Sequence, residues 1–185
     1  MIVHVLGNGL SIQHTHIPQA EIKVTCNLGH KHLNCAWTFV NPAVLFYVCE
    51  KQIDFKIPIV AESNCLKIVV RTMPNAQHLK RLSYYSIIKP FKTVPTPTTG
   101  HKATYYAISL YKPTTLHLWG MDFLWTQDTV SLYDDVLGLT KDDTFFWSWR
   151  PAWDKLWSIN PKTQFVIHTP TPIENLPKNV VTEML

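Results

Sequence analysis

Glycine is scarce in this 185-residue chain, with six in all, and so is charge: Asp, Glu, Lys and Arg make up 16%, against roughly 25% in an average domain. A disordered chain or an acidic tail needs the opposite balance, and 46% hydrophobic residues exclude both. No apolar run reaches the roughly 18 residues that a membrane-spanning helix requires. The four cysteines, Cys26, Cys35, Cys49 and Cys65, contain no C-x-x-C pair. Buried free thiols in reducing surroundings are therefore expected rather than disulfides or zinc. The first residues lack the positive n-region of a signal peptide, so the expected location is the cytoplasm. Absent as well are the G-x-S-x-G elbow, the H-E-x-x-H helix and the Walker loop.

What is present is a length suited to one domain over 1–185, seven tryptophans and nine histidines. The formal net charge of +4 fits an anionic ligand such as a nucleotide and falls short of a nucleic-acid footprint. The densest basic cluster, Lys80-Arg81 with Lys89 and Lys92, reads as a solvated face. His14-x-His16 and His30-x-His32 fall on expected loops without a Cys or carboxylate to complete a ligand set. No metal and no cofactor is expected.

Short apolar runs at 2–6, 22–25, 37–40, 57–61, 115–119 and 164–168 read as strands, each closed by polar residues, proline or glycine. Helices are expected at 43–51, 65–71, 76–84 and 101–111, an irregular connection at 89–100, and a proline-rich tail after 168. This alternation is the pattern of an α/β protein with an open, mostly parallel sheet and helices on both faces. Such sheets bind ligands beyond the carboxyl ends of their strands. Gly7-Asn8-Gly9, Asn27, Asn41, Ser63-Asn64 and Asp122 all fall at such ends and converge on one rim. The segment 123–160 breaks the alternation. It begins acidic and ends with Trp149, Trp153 and Trp157 at helical spacing. It is expected to form a lid, and its stripe suits core packing, an oligomer contact or a platform for a sugar or base.

Each rim motif has two readings. Gly7-Asn8-Gly9-x-Ser11 directly after a strand lets backbone N–H groups approach a phosphate, or is simply a turn. Thr98-Thr99-Gly100 before a helix offers a phosphate the positive end of the helix dipole, or caps the helix. The same dipole disfavours a charged His101, so that ring is expected to be neutral and able to accept a proton. Asn27 and Asn41 are ligand contacts or turn formers.

Taken in order, these motifs resemble the bacterial Rossmann-like sialyltransferases, the group that includes the Campylobacter lipooligosaccharide enzymes. They are also similar to archaeal-type 6-hydroxymethylpterin diphosphokinases and to small phage-encoded proteins, for which the location would be the host cytoplasm. The family opens on a strand and G-N-G-P-S; here the run is Val5-Leu6-Gly7-Asn8-Gly9-Leu10-Ser11. Cys26-Asn27, Asn41-Pro42 before an apolar helix, Thr98-Thr99-Gly100, and Leu116-His117-Leu118-Trp119-Gly120-Met121-Asp122-Phe123 follow in family order. The resemblance implies a Rossmann-like fold and a nucleotide site of the CMP type in which Asn8, Asn27, Asn41, Thr99 and Gly100 bind the nucleotide; the rim motifs add Gly7, Gly9, Ser11, Thr98 and Asp122 as candidates. It implies transfer of a sugar from a nucleotide donor to an acceptor, with Tyr133, Trp149 and Trp153 on the acceptor or lid side. The family's general base is a histidine after the Asp-Phe strand, and no histidine lies between His117 and His168 here. His101, His168, Asp128 or Asp134 would have to substitute. A chain that kept the nucleotide pocket and lost the base, a sequestering module, is the alternative. A homo-oligomer is compatible with the tryptophan stripe.

Overall fold

Alternating apolar side chains and helix-ready sequence after several of the strands leave this chain one economical arrangement: a sheet with helices laid against its faces. The computed structural model describes residues 1–19, 22–28, 34–53, 55, 57–73, 84–87, 98–125 and 144–185. Its strands are β1 (Ile2–Leu6), β2 (Ile22–Cys26), β3 (Thr38–Phe39), β4 (Ile59–Glu62), β5 (Tyr84–Ile87), β6 (Thr115–Trp119), β7 (Gln164–Thr169) and β8 (Val180–Met184). Its helices are α1 (Pro42–Lys51), α2 (Ser63–Thr72), α3 (Thr99–Tyr111) and α4 (Thr144–Ile159).

The eight strands form one sheet in the order β5-β4-β3-β2-β1-β6-β7-β8, and every described pairing is parallel. The chain winds outward from β1 to β5, returns through α3 to β6 on the other side of β1, and winds outward again. The order therefore reverses between β1 and β6, which makes their carboxyl ends the switch point of a doubly wound, Rossmann-like α/β sheet.

Period-two alternation sends neighbouring residues to opposite faces. Val60 joins the core beneath α3 and α4, with Val3, Val5, Leu116, Leu118, Phe165, Ala103, Ala107, Trp153 and Trp157. Ile59 and Ala61, on either side of it, join Val44, Leu45, Val48 and Val69 of α1 and α2. Helices thus cover both faces. The helix ends carry their own signals: Pro42 at the first helical position after Asn41, and Thr98 capping α3.

Three expectations are corrected. Tyr84 opens β5 instead of ending a helix, as suits a Tyr-Tyr-Ser-Ile run of strand formers; residues 74–83 lie outside the described ones. The tail after 168 holds an eighth strand, because its prolines are confined to the connection and Val180-Val181-Thr182 is free to pair with β7. The second half of 123–160 is the crossover helix α4 between β6 and β7, with Trp153 and Trp157 fully buried. The stripe is core packing there, so Trp153 is not exposed to serve a lid or an acceptor. Residues 126–143 lie outside the described ones.

All four cysteines are free, and Cys26, Cys35 and Cys49 are buried. Burial pushes the Cys26 and Cys35 thiols up to about 12, far from the thiolate a reactive cysteine needs. Among the described residues, no helix is long and apolar enough to cross a membrane.

Candidate functional site

The turn after β1 is stitched to the end of β6. Gly7 donates its N–H to the Trp119 carbonyl at 2.7 Å and Gly9 donates to the Gly120 carbonyl at 2.9 Å. The approach is so close that a Cβ at Gly7 would overlap the Gly120 carbonyl, and one at Gly9 the Asp122 carboxyl. Close backbone approach is what glycine supplies here. It also corrects an expectation: these two N–H groups face the carbonyls of Trp119 and Gly120 and are not free for a phosphate.

Asp122 is buried and holds the 3-10 turn Leu10–His14 from across the switch point. Its carboxylate accepts the Ser11 amide at 3.0 Å and the Ser11 hydroxyl at 2.5 Å. Charge-assisted bonds of this kind are the strong ones. Between them stands Asn8, half-buried, whose Oδ1 is shut off from solvent and has no hydrogen-bond partner among the described residues. A buried acceptor left over costs roughly 1–3 kcal/mol unless something donates to it.

A second group gathers at the ends of β2 and β3 and the start of α3. Asn27 takes the left-handed backbone, φ 52°, and its side-chain oxygen accepts the Asn41 amide at 3.4 Å. Asn41 Oδ1 accepts the Val44 amide at 2.9 Å as the α1 cap, and its Nδ2 donates to Thr99 Oγ1 at 3.4 Å. Three residues from three separate element ends are thus linked. Met121 joins the two groups, since its sulfur lies beside both Gly7 and Gly100. Lys102, one turn into α3, pairs with Glu62 at the end of β4, 2.9 Å apart; sequence reasoning did not single out either residue.

The proposed bases fare differently. His101, in the first turn of α3, is fully buried. Its Nδ1 accepts the Thr98 amide at 3.1 Å and meets the Thr98 hydroxyl at 2.6 Å, while Nε2 donates to the Trp149 carbonyl at 3.1 Å. The ring packs on Trp153 with centroids 4.4 Å apart. Burial holds its pKa down at about 3, the Trp149 carbonyl pulling the other way. The ring is neutral as expected, but the cause is burial, and both nitrogens are occupied. His101 is a helix-capping core residue, not a general base. Trp149 is half-buried, and Asp128, Asp134 and Tyr133 lie outside the described residues.

His168 belongs to a different assembly, on the sheet face opposite the α3–α4 core. His4 stacks on its strand partner His117 at 4.6 Å, and Trp119 Nε1 donates to His4 Nδ1 at 3.0 Å. His117 Nδ1 and His168 Nε2 are 2.8 Å apart, and His168 Nδ1 is 3.5 Å from Glu183 Oε2. Burial, and then repulsion between the rings, lowers His4 and His168 to about 4; burial also lowers His117. His168 therefore takes a place in this row, not at the rim beside Asp122. Sequence reasoning missed His4 and His117. Period two places His117 on the same face as Trp119, but only the β1–β6 register brings His4 to that face.

The fold and rim define a doubly wound α/β protein with polar groups gathered at the carboxyl ends of β1, β2, β3 and β6. No protein-family model matches the chain, and no curated protein or solved structure matches it either.

Proposed function

We propose that the rim binds a nucleotide of the CMP type as the donor site of a nucleotide-sugar-dependent glycosyltransferase. One observation carries this reading: Asn27, Asn41 and Thr99, assigned to nucleotide contact by resemblance, come from distant parts of the sequence and are hydrogen-bonded in series. The partnerless Asn8 oxygen supplies an acceptor for a ligand N–H or O–H on the β1 side of the same rim. Ser11 and Asp122 serve by fixing the turn that presents Asn8, because their polar atoms bond each other.

A second reading has its own support. Inverting sugar transfer needs a base near the acceptor hydroxyl, tuned close to the working pH. Both nitrogens of His101 are committed to the capping of α3 and to the Trp149 carbonyl. A module that binds the nucleotide without turning it over fits that placement.

Calorimetry with CMP and other nucleotides, followed by nucleotide-release assays with CMP- and UDP-sugars, separates the two. Binding with release supports the transferase, and binding without release under any donor or acceptor supports the module. Absence of binding to every nucleotide overturns both.

A further inference from the structure

The row of histidines is unused by the rim chemistry and is built across four neighbouring strands. His117 on β6 is the register partner of Val166 on β7, so His168, two residues further, returns to the same face. Glu183 on β8 is in turn the register partner of His168. Parallel pairing thus delivers two imidazoles and a carboxylate to one spot from three consecutive strands. One ligand atom from each of His117, His168 and Glu183 lies within 4.8 Å of the other two.

We propose that His117, His168 and Glu183 form a binding site for a divalent transition metal of the zinc class. Two imidazoles and a carboxylate are a set that zinc takes readily, with water completing the tetrahedron. Nitrogen ligands around a tetrahedral zinc stand about 3.3 Å apart, from bonds of about 2.0–2.1 Å. His117 Nδ1 and His168 Nε2 stand 2.8 Å apart, so a small side-chain rotation admits the ion. Glu183 is exposed while His168 is buried, which gives the ion a way in from the β8 side. Glu183 lies nearest His168 Nδ1, so it either ligates the ion directly or orients the ring, as carboxylates behind zinc-bound histidines do.

His4 stands behind the site and not in it. Its Nδ1 is taken by Trp119, and its ring is stacked flat on His117, fixing that ring's plane. The function of the ion that follows from this position is to clip together β6, β7 and β8, the last three strands at one edge of the sheet.

The test uses the full chain, stripped of metal with a chelator and titrated with Zn2+ by calorimetry and with Co2+ by absorption spectroscopy. The expected result is one equivalent of Zn2+ bound, a tetrahedral Co2+ spectrum and a rise in Tm on adding Zn2+. Glu183→Gln, at an exposed position, should weaken Zn2+ by about 10- to 100-fold, and His117→Asn should abolish that equivalent. Nucleotide binding at the rim should be unchanged in Glu183→Gln, so failure here and failure of the rim reading are distinguishable. Imidazole nitrogen NMR on the unmodified chain needs no variant: His117 Nδ1 and His168 Nε2 should shift on adding Zn2+. No bound equivalent, unmoved imidazole resonances, or Zn2+ affinity unaltered in both variants would overturn the site, the last placing the ion on other histidines.

Discussion

The rim and the histidine row share strands β1 and β6 and treat polarity in opposite ways. At the rim, backbone and side chains neutralise one another: Asp122 with Ser11, Asn41 with Val44, Gly7 and Gly9 with β6. Among the described rim residues, what remains unsatisfied is one buried amide oxygen, on Asn8. In the row, aromatic nitrogens are stacked in parallel planes, with His117 Nδ1 and His168 Nε2 facing each other. The rim is a rigid frame around a buried acceptor, and the row is a set of ring nitrogens brought together, with one hydrogen bond joining His117 Nδ1 and His168 Nε2. Sites for an organic ligand and for an ion differ in this way: the first needs shape and a few directed bonds, the second a cluster of donors.

The comparison can be broken at several strengths. The largest effect should come from beneath the rim, at Trp153, whose burial makes it part of the core that supports α3. Trp153→Ala is expected to cost about 3–5 kcal/mol in urea unfolding, whereas an exposed lid residue would cost almost nothing. Asp122→Asn comes next. Loss of the carboxylate bracket on Ser11 should remove about 1.5–3 kcal/mol and weaken nucleotide binding through the displaced turn.

Acid sharpens the distinction between His101 and a surface base. Unfolded, a histidine takes its proton near 6.5; buried His101 resists it until about 3. Protonation therefore favours the unfolded chain. This group's contribution is complete above about 6.5 and is lost as pH falls toward about 3, at about 1.4 kcal/mol per pH unit. His101→Gln keeps a side chain that suits the N3 position of a capping box. Its unfolding free energy measured across that range should fall less steeply with acid than that of the unmodified chain. An unchanged slope would mean that His101 titrates normally and is accessible.

Asn41 allows a smaller, cleaner cut. Asn41→Ser keeps a capping oxygen and should cost a few tenths of a kcal/mol at most, while Asn41→Ala should cost about 1 kcal/mol in thermal unfolding. Both remove the Nδ2 bond to Thr99 and should weaken nucleotide binding alike. A loss of affinity in the alanine variant alone would make Asn41 a helix cap and nothing more.

Much of the architecture could be read from the chain, because period-two apolar runs and their polar terminators are local signals. Six strands and the helices after Asn41 and Thr98 follow from them. β5 and β8 escaped because an aromatic-rich tetrapeptide and a strand after three prolines carry too little periodicity by themselves. The tryptophan stripe was visible, yet spacing alone cannot tell which surface the stripe faces. Asn27, Asn41 and Thr99 could be named in advance because each ends or begins an element. The bond from Asn41 to Thr99 joins residues 58 positions apart, and only the strand order reveals it. The histidine row depends on strand order in the same way, since His4, His117 and His168 become neighbours only once β1, β6 and β7 lie side by side.

Calorimetric titration of the unmodified chain and of Asn8→Ala with CMP tests the rim most directly. Truncation of Asn8 removes a buried acceptor that has no partner among the described residues, so the Tm of the ligand-free protein should not fall. The rim reading predicts saturable one-to-one binding to the unmodified chain and a loss of roughly tenfold in Asn8→Ala, the worth of about one net hydrogen bond. Equal affinity in the two proteins, or no heat with CMP in either, would contradict it.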